Sequence, residues 1–303
     1  MLSRRLVALT PLAMRGARAP VVGSRPMNKV FGKHAPLSSA AAQDGQGLVK
    51  VERLPGDKRM AIINMARAPV NSLNLDLVQH LTQAIQGLEQ DPEVQGFILA
   101  SSQNKVFCAG IDLVMMHQPK ADDLATFWSA LQTLWYTLYG TRLATVAAIQ
   151  GAAPAAGCLL AISCDYRVMA KGHSLGMNET KFGLVAPPWF QQTLVSTVGL
   201  RHAESLLLKG MMVPSGDALR IGMIDEEVDE SEVMLAAEKE LGAMLSVSDR
   251  ARQTTKVALR MPMMQQMKAA FDMDRDWFMS WVQSPEIQAG LGAYLESLKK
   301  KKK

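Results

Sequence analysis

From Val49 onward, short apolar runs alternate with amphipathic stretches, the pattern of strand and helix units stacked in an α/β core. Residues 59–65 read as a strand, and residues 66–72, which include Pro69, as a turn. Asn74 then opens a helix whose apolar Leu77, Leu81, Ile85 and Leu88 recur at helical spacing, so one face must be buried. Asp91 and Pro92 end it. The continuous apolar run 96–101 predicts a buried strand, followed by a loop over 105–113, a helix over 122–139 and a strand over 145–149. Residues 151–157 form a small-residue turn leading to a short buried helix and a strand over 166–170. The apolar stretch 145–163 is long enough to suggest a membrane span, but Gly151, Pro154 and Gly157 argue for a packed corner of strand, turn and helix.

Beyond residue 231 the pattern turns wholly helical, with an amphipathic run to Leu245, a methionine-rich stretch over 261–267 and a final helix to Leu298. This predicts a C-terminal helical subdomain, residues 230–303, ending in the solvated run Lys299 to Lys303. The methionines suit adaptable core, subunit contact or a tunnel for an apolar chain. An α/β core carrying the active site occupies 44–229.

Charge changes how the first 43 residues read. The chain has a formal net charge of +5, yet residues 1–43 hold seven basic residues and no acid. Subtracting these seven from the 33 basic residues leaves 26 against 28 acidic ones. Such an arginine-rich, acid-free opening predicts a mitochondrial transit peptide over 1–43 and a mitochondrial-matrix protein. The near-neutral remainder, without a basic and aromatic patch, argues against a nucleic-acid partner, and no run is suited to a transmembrane segment. Cys108, Cys158 and Cys164 are too scattered for a disulfide framework, and neither they nor the histidines have metal-ligand spacing. No metal and no cofactor are expected.

Two small-residue turns, 105–113 (KVFCAGIDL) and 151–160 (GAAPAAGCLL), each lead from a buried strand toward a helix. Unpaired N–H groups and a positive dipole end at such helix starts can hold an oxyanion, and small side chains let a ligand approach. Either turn alone more often serves packing.

The two turns in this order, followed by Met177-Asn178-Glu179-Thr180, resemble the crotonase (enoyl-CoA hydratase/isomerase) superfamily over roughly residues 49–298. The resemblance implies a crotonase (ClpP-like) spiral of ββα units with a C-terminal helical subdomain, an acyl-CoA substrate and a homotrimer. It implies that the N–H groups of Ile111 and Ala156 form an oxyanion hole. Many members carry Gly at the second position, but any residue except proline keeps the N–H. It further implies that Ala66, Pro69, Phe107, Cys108, Ala109, Gly110, Ile111 and Pro154 lie along the CoA moiety.

Within the family the pattern resembles the isomerase branch. Hydratases use two glutamates to add water, and at the first of these positions this chain has Leu159, while the second is kept as Glu179. One carboxylate suffices for isomerisation of a 3-enoyl-CoA to the 2-trans product, since the same base takes a proton from C2 and returns it at C4. Each oxyanion donor is worth about 3–4 kcal/mol of barrier. The apolar residues after the base, Phe182 to Phe190, are expected to raise its pKa toward neutrality. Leu159, Trp189 and Phe190 are candidates for the acyl pocket. Asp112 is expected to cap the helix after the first turn. Taken without context, Glu179 in a polar tripeptide reads as a surface residue, and residues 178–180 match a glycosylation sequon. The alternatives are another acyl-CoA enzyme of the family, a hydratase or thioester hydrolase, and a non-catalytic protein that keeps the fold for binding.

Overall fold

The computed structural model describes residues 47–301, so the expected transit segment lies outside the described residues. Six strands form the main sheet, in the order β1 (Val49–Arg53), β2 (Met60–Met65), β3 (Gly96–Ser101), β4 (Ala144–Ile149), β6 (Tyr166–Ala170) and β9 (Glu226–Val228). β1 pairs antiparallel with β2, and every later pair is parallel. Between β2 and β3 runs α1 (Leu75–Gln90), whose N-terminus is capped by the Asn74 side chain accepting from Leu77 N–H. The short α2 (Leu113–Met116) and the long α3 (Ala121–Gly140) lie between β3 and β4. These are ββα and βα units, and they match the expected crotonase spiral.

Strands buried on both faces need apolar side chains in both directions. In β3, Phe97 and Leu99 enter the larger core, against α1 and α3, while Ile98 and Ala100 enter a smaller one. The smaller core is sealed by Val233, Ala237 and Leu241 of α7 (Val233–Met244). A boundary at residue 230 is therefore corrected for this helix. α7 covers one face of the sheet as part of the α/β core, because the apolar stripe that marks it as amphipathic is what the sheet needs on that side.

A second, three-stranded sheet carries the site: β5 (Ala153–Pro154) pairs parallel with β7 (Ser174–Gly176), which pairs antiparallel with β8 (Val213–Pro214). Between β5 and β6 lies α4 (Ala156–Ser163), buried along its whole length. After β7 comes a single 3-10 turn, Glu179–Phe182, then α5 (Pro188–Lys209), which breaks at Gly199. The small α6 (Ser215–Arg220) precedes β9. After α7 the chain continues through α8 (Asp249–Ala269), α9 (Phe271–Val282) and α10 (Pro285–Lys301). No helix among the described residues is long and apolar enough to cross a membrane.

Candidate active site

Two glycines hold the two small-residue turns together. A Cβ on Gly151 would meet the Lys105 carbonyl carbon at 2.0 Å, and one on Gly157 would meet the Cys108 carbonyl oxygen at 2.0 Å. Neither position admits a side chain without moving backbone. A parallel bridge between Val106 and Ala152 supplies the hydrogen bonds, Phe107 N–H to the Ala152 carbonyl at 2.9 Å and Ala152 N–H to the Lys105 carbonyl at 2.9 Å. Asn71, itself buried, ties the first turn from behind: its Nδ2 donates to the Phe107 carbonyl at 3.0 Å, and its own carbonyl accepts from Cys108 Sγ. The side chains of Phe107 and Cys108 are both in the core, and the Phe107 N–H and carbonyl already have partners.

This geometry aims the two N–H groups. Leu73 N–H donates to the Gly110 carbonyl and the Asp112 N–H donates to Leu73, so the Ile111 N–H between them points to the opposite side. The second turn is close by: a Cβ on Gly110 would come within 3.3 Å of Ala156 N. Ala156 is the first residue of α4, where N–H groups have no intrahelical partner, and neither it nor Ile111 donates to any group among the described residues. Ala155, just before it, has φ +51° and ψ −124°, a conformation costly for a residue with a side chain. Its own N–H is held by the Gly176 carbonyl at 2.7 Å, so the turn is pinned to β7.

β7 also sets the base. Three residues after Gly176, Glu179 reaches a cavity of about 140 Å³ whose polar end is formed with Ala109, Ile111, Pro154, Ala155 and Asn178. Its Oε2 is sealed from solvent and has no hydrogen-bond partner. Burial pushes the carboxyl up to about 7, and only its own backbone N–H opposes the shift. The same carboxylate, second to burial itself, pushes the Cys158 thiol of α4 upward, which places Glu179 beside the helix that carries Ala156. Apolar walls complete the cavity. Trp128, Phe190 and Phe278 of this lining are buried, whereas Phe182, Leu184 and Tyr294 are half-buried.

Of the acyl-pocket candidates, Phe190 lines the cavity, and Leu159 and Trp189 do not. Leu159 sits one turn into α4 and packs in the core, and Trp189 turns behind Phe190 to donate its indole N–H to Asp274. Successive residues of a helix point about 100° apart, so Trp189 and Phe190 cannot both face the ligand. The methionine-rich stretch is likewise away from the cavity; Met264 packs on Gly140, and the lining methionine is Met116. Ala66 and Pro69 lie outside the cavity on the half-exposed turn beside it, joined to the first oxyanion turn by Ala109 N–H donating to Val70. Asp112 caps α2 as expected and also pairs with Arg67 at 2.9 Å. Sequence reasoning missed Trp128, Phe278 and Tyr294, whose elements come from distant parts of the chain. No group of residues suited to hold a metal exists among the described residues.

A carboxylate with a raised pKa, two main-chain N–H groups without a partner among the described residues and an apolar cavity lie together on a crotonase spiral. The chain belongs to the enoyl-CoA hydratase/isomerase family, whose profile matches residues 56–303. It is 38% identical over 245 residues to the mitochondrial enoyl-CoA delta isomerase 1 of Homo sapiens, covering 80% of this chain and 81% of that one. The Syntrophomonas wolfei crotonyl-CoA hydratase is 27% identical, covering 81% and 95%. The crystal structure of human mitochondrial delta3-delta2-enoyl-CoA isomerase superposes with a TM-score of 0.82 at 38% identity, over 84% of this chain and 100% of that one. An enoyl-CoA hydratase from Bacillus halodurans, at 21% identity and TM-score 0.74 over 81% and 99%, shares the fold.

Proposed function

We propose that this protein isomerises 3-enoyl-CoA thioesters to the conjugated 2-trans form. The observation that carries this reading is Glu179, a single carboxylate with a pKa of about 7 in an apolar cavity, with Leu159 where a hydratase would need its second acid. The relatives named as enoyl-CoA delta isomerases support it. Glu179 takes a proton from C2, and the electron pair moves into the thioester carbonyl to give an enolate. Ile111 and Ala156 N–H groups stabilise the enolate oxygen, each by about 3–4 kcal/mol. The pair returns through C2=C3 as C4 takes the same proton from Glu179, so no water and no net charge enter the reaction.

The acid-free opening and the mitochondrial relatives support a mitochondrial-matrix location, and the family resemblance supports a homotrimer, without a cofactor beyond the CoA of the substrate. The test is direct. The purified protein should convert a 3-enoyl-CoA to product with conjugated-thioester absorbance, and Glu179→Gln should lose this activity by at least about a thousandfold. Release of free CoA thiol would instead identify a hydrolase, and turnover by the Gln variant at the wild-type rate would remove Glu179 from its role.

A further inference from the structure

Asp274 is a buried carboxylate of α9 outside the catalytic cavity. Its Oδ2 accepts three hydrogen bonds, from the indole N–H of Trp128 at 2.9 Å, the Gln132 amide at 2.8 Å and the indole N–H of Trp189 at 3.0 Å. Among the described residues its Oδ1 is buried with no partner and no cation pairs with it; the neighbouring Arg275 turns outward to Asp272 and Asp276. A hydrophobic side chain would fill such a place at lower cost, because burying a polar group with one oxygen unpaired is expensive. What the carboxylate gives instead is direction.

Its donors come from α3 and α5, and the indole of Trp128 stacks on Phe278 of α9 at 3.4 Å between ring centroids. Trp128 and Phe278, with Phe190, are buried aromatic residues of the cavity wall. Trp189 meets Phe190 edge-on at 4.5 Å and Trp128 at 5.7 Å, so both rings bound to Asp274 brace that wall. We infer that Asp274 is a positioning residue that locks the aromatic wall and thereby limits the length of acyl chain the cavity accepts. Removing the oxygen leaves two indole N–H groups unpaired, the wall loosens, and longer chains enter. Short chains end before the wall and do not sense it.

This inference rests on the isomerase reading above. Its test compares Asp274→Leu, which removes the acceptor, with Asp274→Asn, which keeps one, using 3-hexenoyl-CoA and 3-dodecenoyl-CoA. The ratio of kcat/KM for the long over the short substrate should rise roughly tenfold in the Leu variant, mainly through KM. It should stay within about twofold of wild type in the Asn variant. If the Leu variant does not fold, Trp189→Phe, which keeps a ring but removes one donor, should shift the ratio in the same direction. An unchanged ratio in a folded Leu variant, or an equal loss on both substrates, overturns the inference. Were the wild type to turn over neither substrate, the isomerase reading would fail. The same ratio, read as Kd for saturated hexanoyl-CoA and dodecanoyl-CoA by calorimetry, would then decide this one.

Discussion

Glu179 concentrates most of what a single residue does here. Its carboxyl must be ionised to act as a base, so kcat/KM should rise with pH and level off above about 7. The same shift has a cost in stability. Because the folded-state pKa lies above the ordinary 4.5, the native protein binds more protons than the unfolded chain between those values, and stability falls as pH rises through that window. Glu179→Gln should therefore raise the urea midpoint near pH 8, and the gain should disappear near pH 4; an equal gain at both would mean the carboxyl is not the source. From the sequence, Glu179 was legible only through the two turns before it. Its tripeptide is polar, and the desolvation comes from the tertiary fold, which seals Oε2 from solvent.

At the scale of elements, the two turns work because their glycines admit backbone contact. Gly157→Ala would drive a methyl group into the Cys108 carbonyl, and the turns would have to part. We expect a loss of about 1–3 kcal/mol in denaturant unfolding. Separation of the Ile111 and Ala156 N–H groups should also lower kcat by about a hundredfold, with little change in KM. Retained kcat would show that the N–H groups keep their aim without the close approach. The longer elements could be read from periodicity: β3 and β6 fall over the predicted runs, and α1 begins at its Asn74 cap. β5, β7 and β8 are two or three residues long, too short for alternation to register. α5 was not foreseen, because it opens on Pro188 and changes direction at Gly199, so no single apolar stripe runs its length.

At the scale of the molecule, α8 is fastened to the α/β core by a buried charge cluster. Asp165 Oδ2 pairs with Lys256 at 2.8 Å and its Oδ1 with Arg260 at 2.8 Å, while Lys256 and Arg260 also donate to the Leu143 and Tyr139 carbonyls. Burial pulls the Lys256 ammonium down to about 8 even with Asp165 beside it. Asp165→Asn would leave two cations buried against one amide and should cost about 3–5 kcal/mol in urea unfolding. A loss below about 1 kcal/mol would mean that the cluster relaxes into solvent. This clamp places α9 and α10, and with them Phe278 and Tyr294, over the cavity. α10 is set in turn by the Gln288 amide donating to the Met116 carbonyl at 2.9 Å.

The sequence alone determined the strand and helix alternation and the two small-residue turns, and it marked Glu179 as the candidate base. The alternation and the turns depend on neighbours within a few positions, where hydrophobic period, glycine and capping chemistry act, whereas Glu179 is marked only by the two turns that precede it. Tertiary structure decided which apolar residues face the ligand. Trp128, Phe190 and Phe278 lie far apart in the chain and look no different from core residues such as Leu159 and Trp189. Burial gives all five the same composition signal, and only the packing of distant elements around the cavity separates wall from core.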